Sequence, residues 1–157
     1  MTREPPLLRE YRHTDLPAVV AIYREAVRSL APDRYTVEQI DAWAAFAETD
    51  RDLRPLLAQG YRLVVENETG GIDAFAVLDP ADYVSLLYSR VSRRGHASRL
   101  LDALEAEANR RGVVRMRTAA SLISHPLFLR RGYTVDHPET VERAGVSFDR
   151  YRMSKRL

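Results

Sequence analysis

The sequence predicts an α/β protein folded around one central sheet, and three observations carry that prediction. Strand-like and helix-like segments follow one another along the whole chain. The 157 residues contain no internal repeat, low-complexity segment or linker, so residues 1–157 read as a single domain large enough to bury its own core. Third, the stretch from Tyr83 to Leu104 passes from a period of two to a helical period through a small-residue turn. Val84, Leu86 and Tyr88 alternate there against Ser85, Leu87 and Ser89, and Leu100, Leu101, Leu104 and Ala108 follow at the spacing of a buried helix face.

Each element has a local reason. Leu7, Leu8 and Tyr11 suggest a first strand ending near His13. Thr14 or Asp15 is placed to cap a helix whose first turn accepts Pro17 and whose Leu16, Val20, Tyr23, Val27 and Leu30 recur at helical spacing. Ala31-Pro32-Asp33 breaks it. Thr36 with Gln39 forms a capping-box pattern for a second helix, with Ile40, Trp43 and Ala47 on one face, and a short third helix around Leu53, Leu56 and Leu57 ends at Gly60. Tyr61 to Val65 and Ile72 to Leu78 are strand-like, joined by a turn with Gly70 and Gly71. After Asp79-Pro80-Ala81-Asp82 comes the strand ending at Ser89. The helix that follows runs to about Arg111 and stops at Gly112. Val113 to Ala119 is a strand, Pro126 to Arg131 a short helix, and Tyr133 to Val135, Val141 to Arg143 and Val146 to Met153 are final strands, with Gly145 at a turn.

Composition excludes several classes. No cysteine is present, so there is no disulfide framework, zinc knuckle or thiol nucleophile. The N-terminus MTREPPLLREYRHTD is too polar for a signal peptide, and no apolar run reaches the ~18 residues that span a bilayer; a soluble cytoplasmic protein without a membrane partner is expected. Net charge is +2, and 22 acidic residues are interspersed with the arginines, which does not describe a nucleic-acid-binding stripe. His13, His125 and His137 show no metal-ligand spacing, so no metal is expected.

The junction at Ser92-Arg93-Arg94-Gly95-His96-Ala97-Ser98 points to a phosphate. The first turn of a helix carries N–H groups without intrahelical acceptors at the positive end of the dipole, and Gly95, Ala97 and Ser98 leave that turn open. From Tyr83 through Leu101 there is no acidic residue, whereas Arg90, Arg93, Arg94 and Arg99 all fall within the window. The local field favours a polyanionic ligand.

This arrangement resembles motif A of the GNAT-type N-acetyltransferases, a strand followed by a Gln/Arg-x-x-Gly-x-Gly/Ala loop; Gly95 and Ala97 match it, and Ser92 stands where Gln or Arg is usual. The stretch from Ser121 to Tyr133 is similar to a later signature of that family, and Tyr35 to Trp43 resembles the early helices of one bacterial branch. The resemblance implies a mixed, twisted sheet splayed between its fourth and fifth strands, and acetyl coenzyme A as cosubstrate. It further implies backbone contacts to the diphosphate from Arg94, Gly95, His96, Ala97, Ser98 and Arg99, with ionic contact from Arg93 or Arg94. Leu87, Tyr88 and Ser89 would lie along the pantetheine arm, with Phe128 and Arg131 beside the cofactor.

Phe128 falls where many such enzymes place a tyrosine that protonates the departing thiolate, which phenylalanine cannot do. For a general base, Tyr88, Asp82 and Tyr151 are candidates by location. Tyr35, Trp43 and Ser121 are candidates for the acceptor pocket. The expected activity is transfer of an acetyl group by direct attack of a primary amine, on a small molecule or a protein; the alternative is an acyl coenzyme A-binding module without turnover. Homodimers are common among the proteins it resembles, and nothing in the sequence specifies one.

Overall fold

A computed structural model describes residues 6–46, 50–90 and 94–157. The elements run β1 (Leu7–Glu10), a 3-10 turn (His13–Asp15), α1 (Leu16–Leu30), α2 (Val37–Ala45), α3 (Asp50–Leu56), β2 (Tyr61–Glu66), β3 (Ile72–Leu78), β4 (Tyr83–Ser89), α4 (His96–Arg110), β5 (Arg115–Ser121), α5 (His125–Arg130), β6 (Thr134–Arg143) and β7 (Val146–Arg156). The strands form one sheet in the order β1-β2-β3-β4-β5-β7-β6. Every neighbouring pair is antiparallel except β4 with β5. This is the mixed α/β sheet that the sequence predicts.

Both faces of the sheet are covered, which is why β3 is buried along its whole length. On one face Val19, Ile22, Tyr23 and Val27 of α1 pack with Val64, Phe75, Val77 and Leu86. On the other, Leu100, Leu101 and Leu104 of α4 pack with Leu63, Val65, Ala74, Ala76 and Met116. Each of those α4 leucines is fully buried, worth about 1.5–3 kcal/mol in removal from water.

The stripe on α1 is rotated from the predicted one. Val19, Ile22 and Ala26 join Tyr23 and Val27 in the core, while Leu30 is left exposed at the last turn. Asp15 does not cap α1 either. Its carboxylate receives both terminal nitrogens of Arg9 at 2.9 Å and the N–H of Arg12 at 2.8 Å, which holds it below the usual carboxylate range. The Thr36 box forms as predicted, with the Gln39 N–H donating to Thr36 Oγ1 at 3.2 Å and the Thr36 N–H donating to Gln39 Oε1 at 2.9 Å. Ala47 lies outside the described residues.

The predicted single face of β4 is broken by a bulge. Val77 pairs with Leu86 but Leu78 pairs with Val84, so Ser85 is the extra residue. Val84 therefore packs in the α4 core, whereas Leu86 and Tyr88 face α1. Pairing with β5 covers only Tyr83 with Arg117 and Val84 with Thr118. At that last pair the buried Thr118 hydroxyl donates to the Val84 carbonyl at 2.9 Å, and beyond it the two strands part.

Two boundaries differ from prediction for local reasons. Strand β5 starts at Arg115 because Val113 closes α4: its N–H donates to the Ala108 carbonyl at 2.9 Å, across Gly112 with φ +82°. The two short strands predicted at Tyr133 to Val135 and Val141 to Arg143 are one, β6. Pro138 does not end it because β6 is the outer strand of the sheet, and a bulge at Asp136 precedes it.

Two glycines with similar backbone angles separate strain from crowding. A Cβ at Gly60 (φ +85°) would lie 2.6 Å from both Asp79 Cβ and the Leu78 carbonyl oxygen, whereas one at Gly95 (φ +75°) meets nothing within 4 Å. Gly95→Ala should cost about 1–2 kcal/mol in urea denaturation, the penalty of a left-handed alanine. Gly60→Ala should cost clearly more; equal losses at the two positions would show that the Gly60 contact is not tight.

Candidate active site

The parting of β4 from β5 opens two connected hollows. The smaller, about 120 Å³, lies in the split itself, with Leu87 and Ser89 of β4 on one side, Ala119 and Ser121 of β5 on the other, and Ser124 and Phe128 below. The larger, about 310 Å³, lies between the helical face and the β6–β7 hairpin, walled by Tyr23, Tyr35, Trp43, Phe46, Tyr88 and Phe148. Tyr88, Ser121 and Trp43 border both.

Strand β4 presents its backbone to the split at alternate residues. The Arg90 N–H donates to the Asp73 carbonyl at 2.8 Å, and the register continues Phe75 with Tyr88 and Val77 with Leu86. Alternation of the antiparallel ladder then directs the amides of Tyr88 and Leu86 to β3, and those of Leu87 and Ser89 away from it. Tyr88, grouped with its neighbours in the sequence reading, is thus excluded from backbone contact with anything in the split. No residue of β5 pairs with Leu87.

The start of α4 lies beside the end of β4, linked to it through Asp73. Gly95 precedes the helix in the left-handed region, and the first helical bond runs from the Arg99 N–H to the Gly95 carbonyl at 3.0 Å. The amides of His96, Ala97 and Ser98 come before that bond and have no helical acceptor. Arg99 does not belong with them: its amide is committed to Gly95 and its guanidinium donates to the Pro6 carbonyl. Arg94 is exposed beside the turn, and Arg93 lies outside the described residues. The first turn carries no acidic residue, so three aligned amides and one cation meet an incoming anion.

Behind this turn lies a polar cluster that the sequence reading missed. The buried His96 ring places Nε2 3.8 Å from Asp73 Oδ2, and Asp73 Oδ1 accepts from Asn67 Nδ2 at 2.9 Å and from Arg90 at 3.4 Å. Asp73 thus links the first residue of α4, the end of β4 and the β2–β3 turn. The only sequence signal was an aspartate in an otherwise apolar strand.

The titratable candidates separate by position. Asp82 sits at the end of β4 where the strands are still joined, borders neither hollow, and is ion-paired with Arg117 at 2.6 Å, which holds its carboxyl below the usual range. Tyr88 stands between the hollows, but burial pushes its hydroxyl up to about 12, partly offset by hydrogen bonds with Trp43 and Tyr23. A phenol held protonated at neutral pH donates a hydrogen bond and does not serve as a resting base. Tyr151 lies on the α4 side of the sheet, its ring 4.4 Å from His125. Phe128 is buried and edge-on to Tyr133 at 5.0 Å, offering the smaller hollow an apolar wall and no hydroxyl. The Arg131 guanidinium is paired with Asp102 of α4, and its buried Nε has no partner among the described residues.

The three acceptor-side candidates come together. Tyr35 Oη accepts the Leu122 N–H at 2.9 Å, tying the chain before α2 to the end of β5, and its ring packs edge-on against Trp43 at 5.2 Å. Ser121 Oγ lies 3.1 Å from Ser124 Oγ, and both residues line the smaller hollow. Val141, Arg143 and Phe148 of the last hairpin complete the larger hollow; sequence reasoning missed them because their part depends on how that hairpin folds back toward α2. Among the described residues, no cluster of three or more His, Asp or Glu could hold a metal, and no helix is long and apolar enough to cross a membrane.

A split sheet with an anion-receptive helix end at one margin and an aromatic hollow at the other is the arrangement of a coenzyme-dependent acyltransferase. Comparison with known proteins specifies it. The acetyltransferase (GNAT) domain family matches residues 31–155. A GCN5-related N-acetyltransferase from Rhodopseudomonas palustris is 30% identical over 100% of this chain and 99% of its own, with a TM-score of 0.93. YafP of Escherichia coli K12, described as an uncharacterized N-acetyltransferase, is 26% identical over 93% of each chain. PaiA N-acetyltransferase of Thermoplasma acidophilum, solved in complex with coenzyme A, shares the fold with a TM-score of 0.76 at 14% identity over 98% of this chain and 100% of its own. The chain belongs to the GNAT family of N-acetyltransferases.

The position of Asp82 yields a test. Because Arg117 lowers its folded pKa, the pair stabilises the fold above the ordinary aspartate value of ~4, and that contribution is lost as pH falls through the lower folded value. Asp82→Asn should flatten the acid limb of stability against pH while leaving turnover at neutral pH within about twofold. A collapse of kcat in this variant would reinstate Asp82 as the base.

Proposed function

We propose that this chain moves the acetyl group of acetyl coenzyme A onto the primary amine of a small molecule by direct attack, without a covalent enzyme intermediate. The observation that carries this reading is the run of His96, Ala97 and Ser98 amides, open to a ligand at Gly95, at the margin of a split that leads to an aromatic hollow. In this reading those amides and Arg94 hold the diphosphate, while Leu87 and Ser89 line the pantetheine arm. Acetyl coenzyme A supplies the activated acyl group.

The Leu87 N–H, directed into the split, is the donor best placed to polarise the thioester carbonyl, a role often worth about 3 kcal/mol. The amine enters from the larger hollow and meets the thioester beside Tyr88 and Ser121. The ammonium first gives a proton to water to expose its lone pair. As the C–N bond forms, the C–S bond breaks with its electron pair on sulfur, and the second proton lost by nitrogen also passes to water. A thiol of pKa ~8.5 leaves as its thiolate without an acid at Phe128. The dimensions of the larger hollow favour a small molecule over a protein segment.

Ala97→Glu tests the site. A glutamate in the first turn suits the helix, so the variant should unfold near the wild-type temperature, yet its charge repels a diphosphate. Calorimetry should show acetyl coenzyme A binding weakened at least a hundredfold; unchanged affinity removes the site. A thermal shift with acetyl coenzyme A, followed by an amine panel read as free thiol, tests the reaction. Tight binding with no thiol release from any amine would replace the enzyme by an acyl coenzyme A-binding module, the reading that the missing hydroxyl at Phe128 favours.

A further inference from the structure

We infer that the acceptor is a small aromatic amine that also carries an anionic group, with its ring in the larger hollow and its anion on Arg143. This rests on the acetyltransferase reading above and specifies its substrate.

The walls of the hollow select for a flat apolar body. Tyr35, Trp43 and Phe148 form a mutual corner, with centroids 5.2, 6.1 and 6.5 Å apart and the two Trp43 contacts edge-on. Tyr23 faces them with Phe46 at 5.9 Å and Tyr88 at 4.7 Å. Rings in such arrangements present both edges and faces, and a further aromatic ring is the partner that matches them. A volume of about 310 Å³ is at the low end of small-molecule sites, ~300–1,000 Å³, which suits one ring system with a short arm.

The charges of the lining choose the second group. Among the described residues three charged side chains border the hollow: Arg143, Asp149 and Arg150. Arg150 is paired with Glu139. Asp149 accepts the Thr140 hydroxyl at 2.9 Å. Arg143 has no ion pair or side-chain hydrogen bond among the described residues, and its charge is felt at the hydroxyls of Tyr23 and Tyr88. Its place is fixed by a two-residue turn, Ala144 (φ 49°) and Gly145 (φ 76°), and Val141, two residues before it on the same strand face, also lines the hollow. A guanidinium without an ion pair among the described residues, at the rim of an aromatic hollow, is a receptor for carboxylate. A polyamine would need several carboxylates along its length, and the lining offers one.

Thiol release would be measured with acetyl coenzyme A and amine pairs that differ only in the anion: phenylalanine with 2-phenylethylamine, and 4-aminomethylbenzoate with benzylamine. Spermidine and a short peptide with a free N-terminal alanine complete the panel. The proposal predicts that the carboxylated member of at least one pair has the lower KM, by about tenfold or more. Arg143→Ala should remove that advantage by raising KM for the carboxylated member, with kcat nearly constant and the neutral member altered less than twofold, and Arg143→Lys should restore part of it. Because Arg143 is exposed, neither change threatens folding. Turnover of spermidine or the peptide with both aryl pairs inert overturns this inference alone, as does an equal effect of Arg143→Ala on both members of a pair. Absence of thiol release from every amine overturns it together with the acetyltransferase reading.

Discussion

The hydroxyl of Thr118, donated to the Val84 carbonyl, marks the last point at which β4 and β5 are joined, and the architecture of the site depends on their separation there. A closed ladder would leave no room for a ligand between the two strands. The extra residue, Ser85, turns β4 and exchanges the faces of its side chains, so that Val84 belongs to one core and Leu86 to the other. Thr118 adds a side-chain hydrogen bond to the Val84 carbonyl at the point where the ladder stops.

The two cores make that opening affordable in structural terms. Helices α1 and α4 clamp β3 and the joined part of β4 from opposite faces, so the parting is confined to one end of the strand pair. On the β3 side Asp73 reaches His96, Arg90 and Asn67, so the start of α4 is fastened to the strand that forms one wall of the split. On the β5 side Tyr35 is fastened to Leu122, bringing the aromatic hollow to the other wall. The start of α4 and the aromatic hollow are held to opposite sides of one gap by a few part-buried polar contacts.

Much of this was legible in the sequence because it is local. The Thr36 box, the helix after Gly95, the run of Ile72 to Leu78 and the absence of acidic residues around the turn at Gly95 are all properties of contiguous residues. What escaped the sequence depends on register or on distant packing. A bulge shifts alternation by one, so Val84, Leu86 and Tyr88 could not be sorted between faces without knowing their partners in β3. Arg99 looked like a phosphate contact because its type and position fit, and it is excluded by the helical bond from its own amide and by its guanidinium's bond to the Pro6 carbonyl. Asp82 looked like a base through its nearness to β4 in sequence, but a seven-residue strand carries it roughly 20 Å from Ser89. Arg143 gave no local sign of its place, since a lone arginine before a turn is ordinary until the hairpin is folded back toward α2.

The outer strand β6 has a consequence for assembly. Its proline has no amide hydrogen, and the bulge at Asp136 twists the strand just before it. A second polypeptide arriving along this margin would find an interrupted row of donors and acceptors, with carboxylates and guanidiniums beside them. Continuation of the sheet from one molecule into another is therefore disfavoured at this margin, which leaves β1 as the other edge of the sheet.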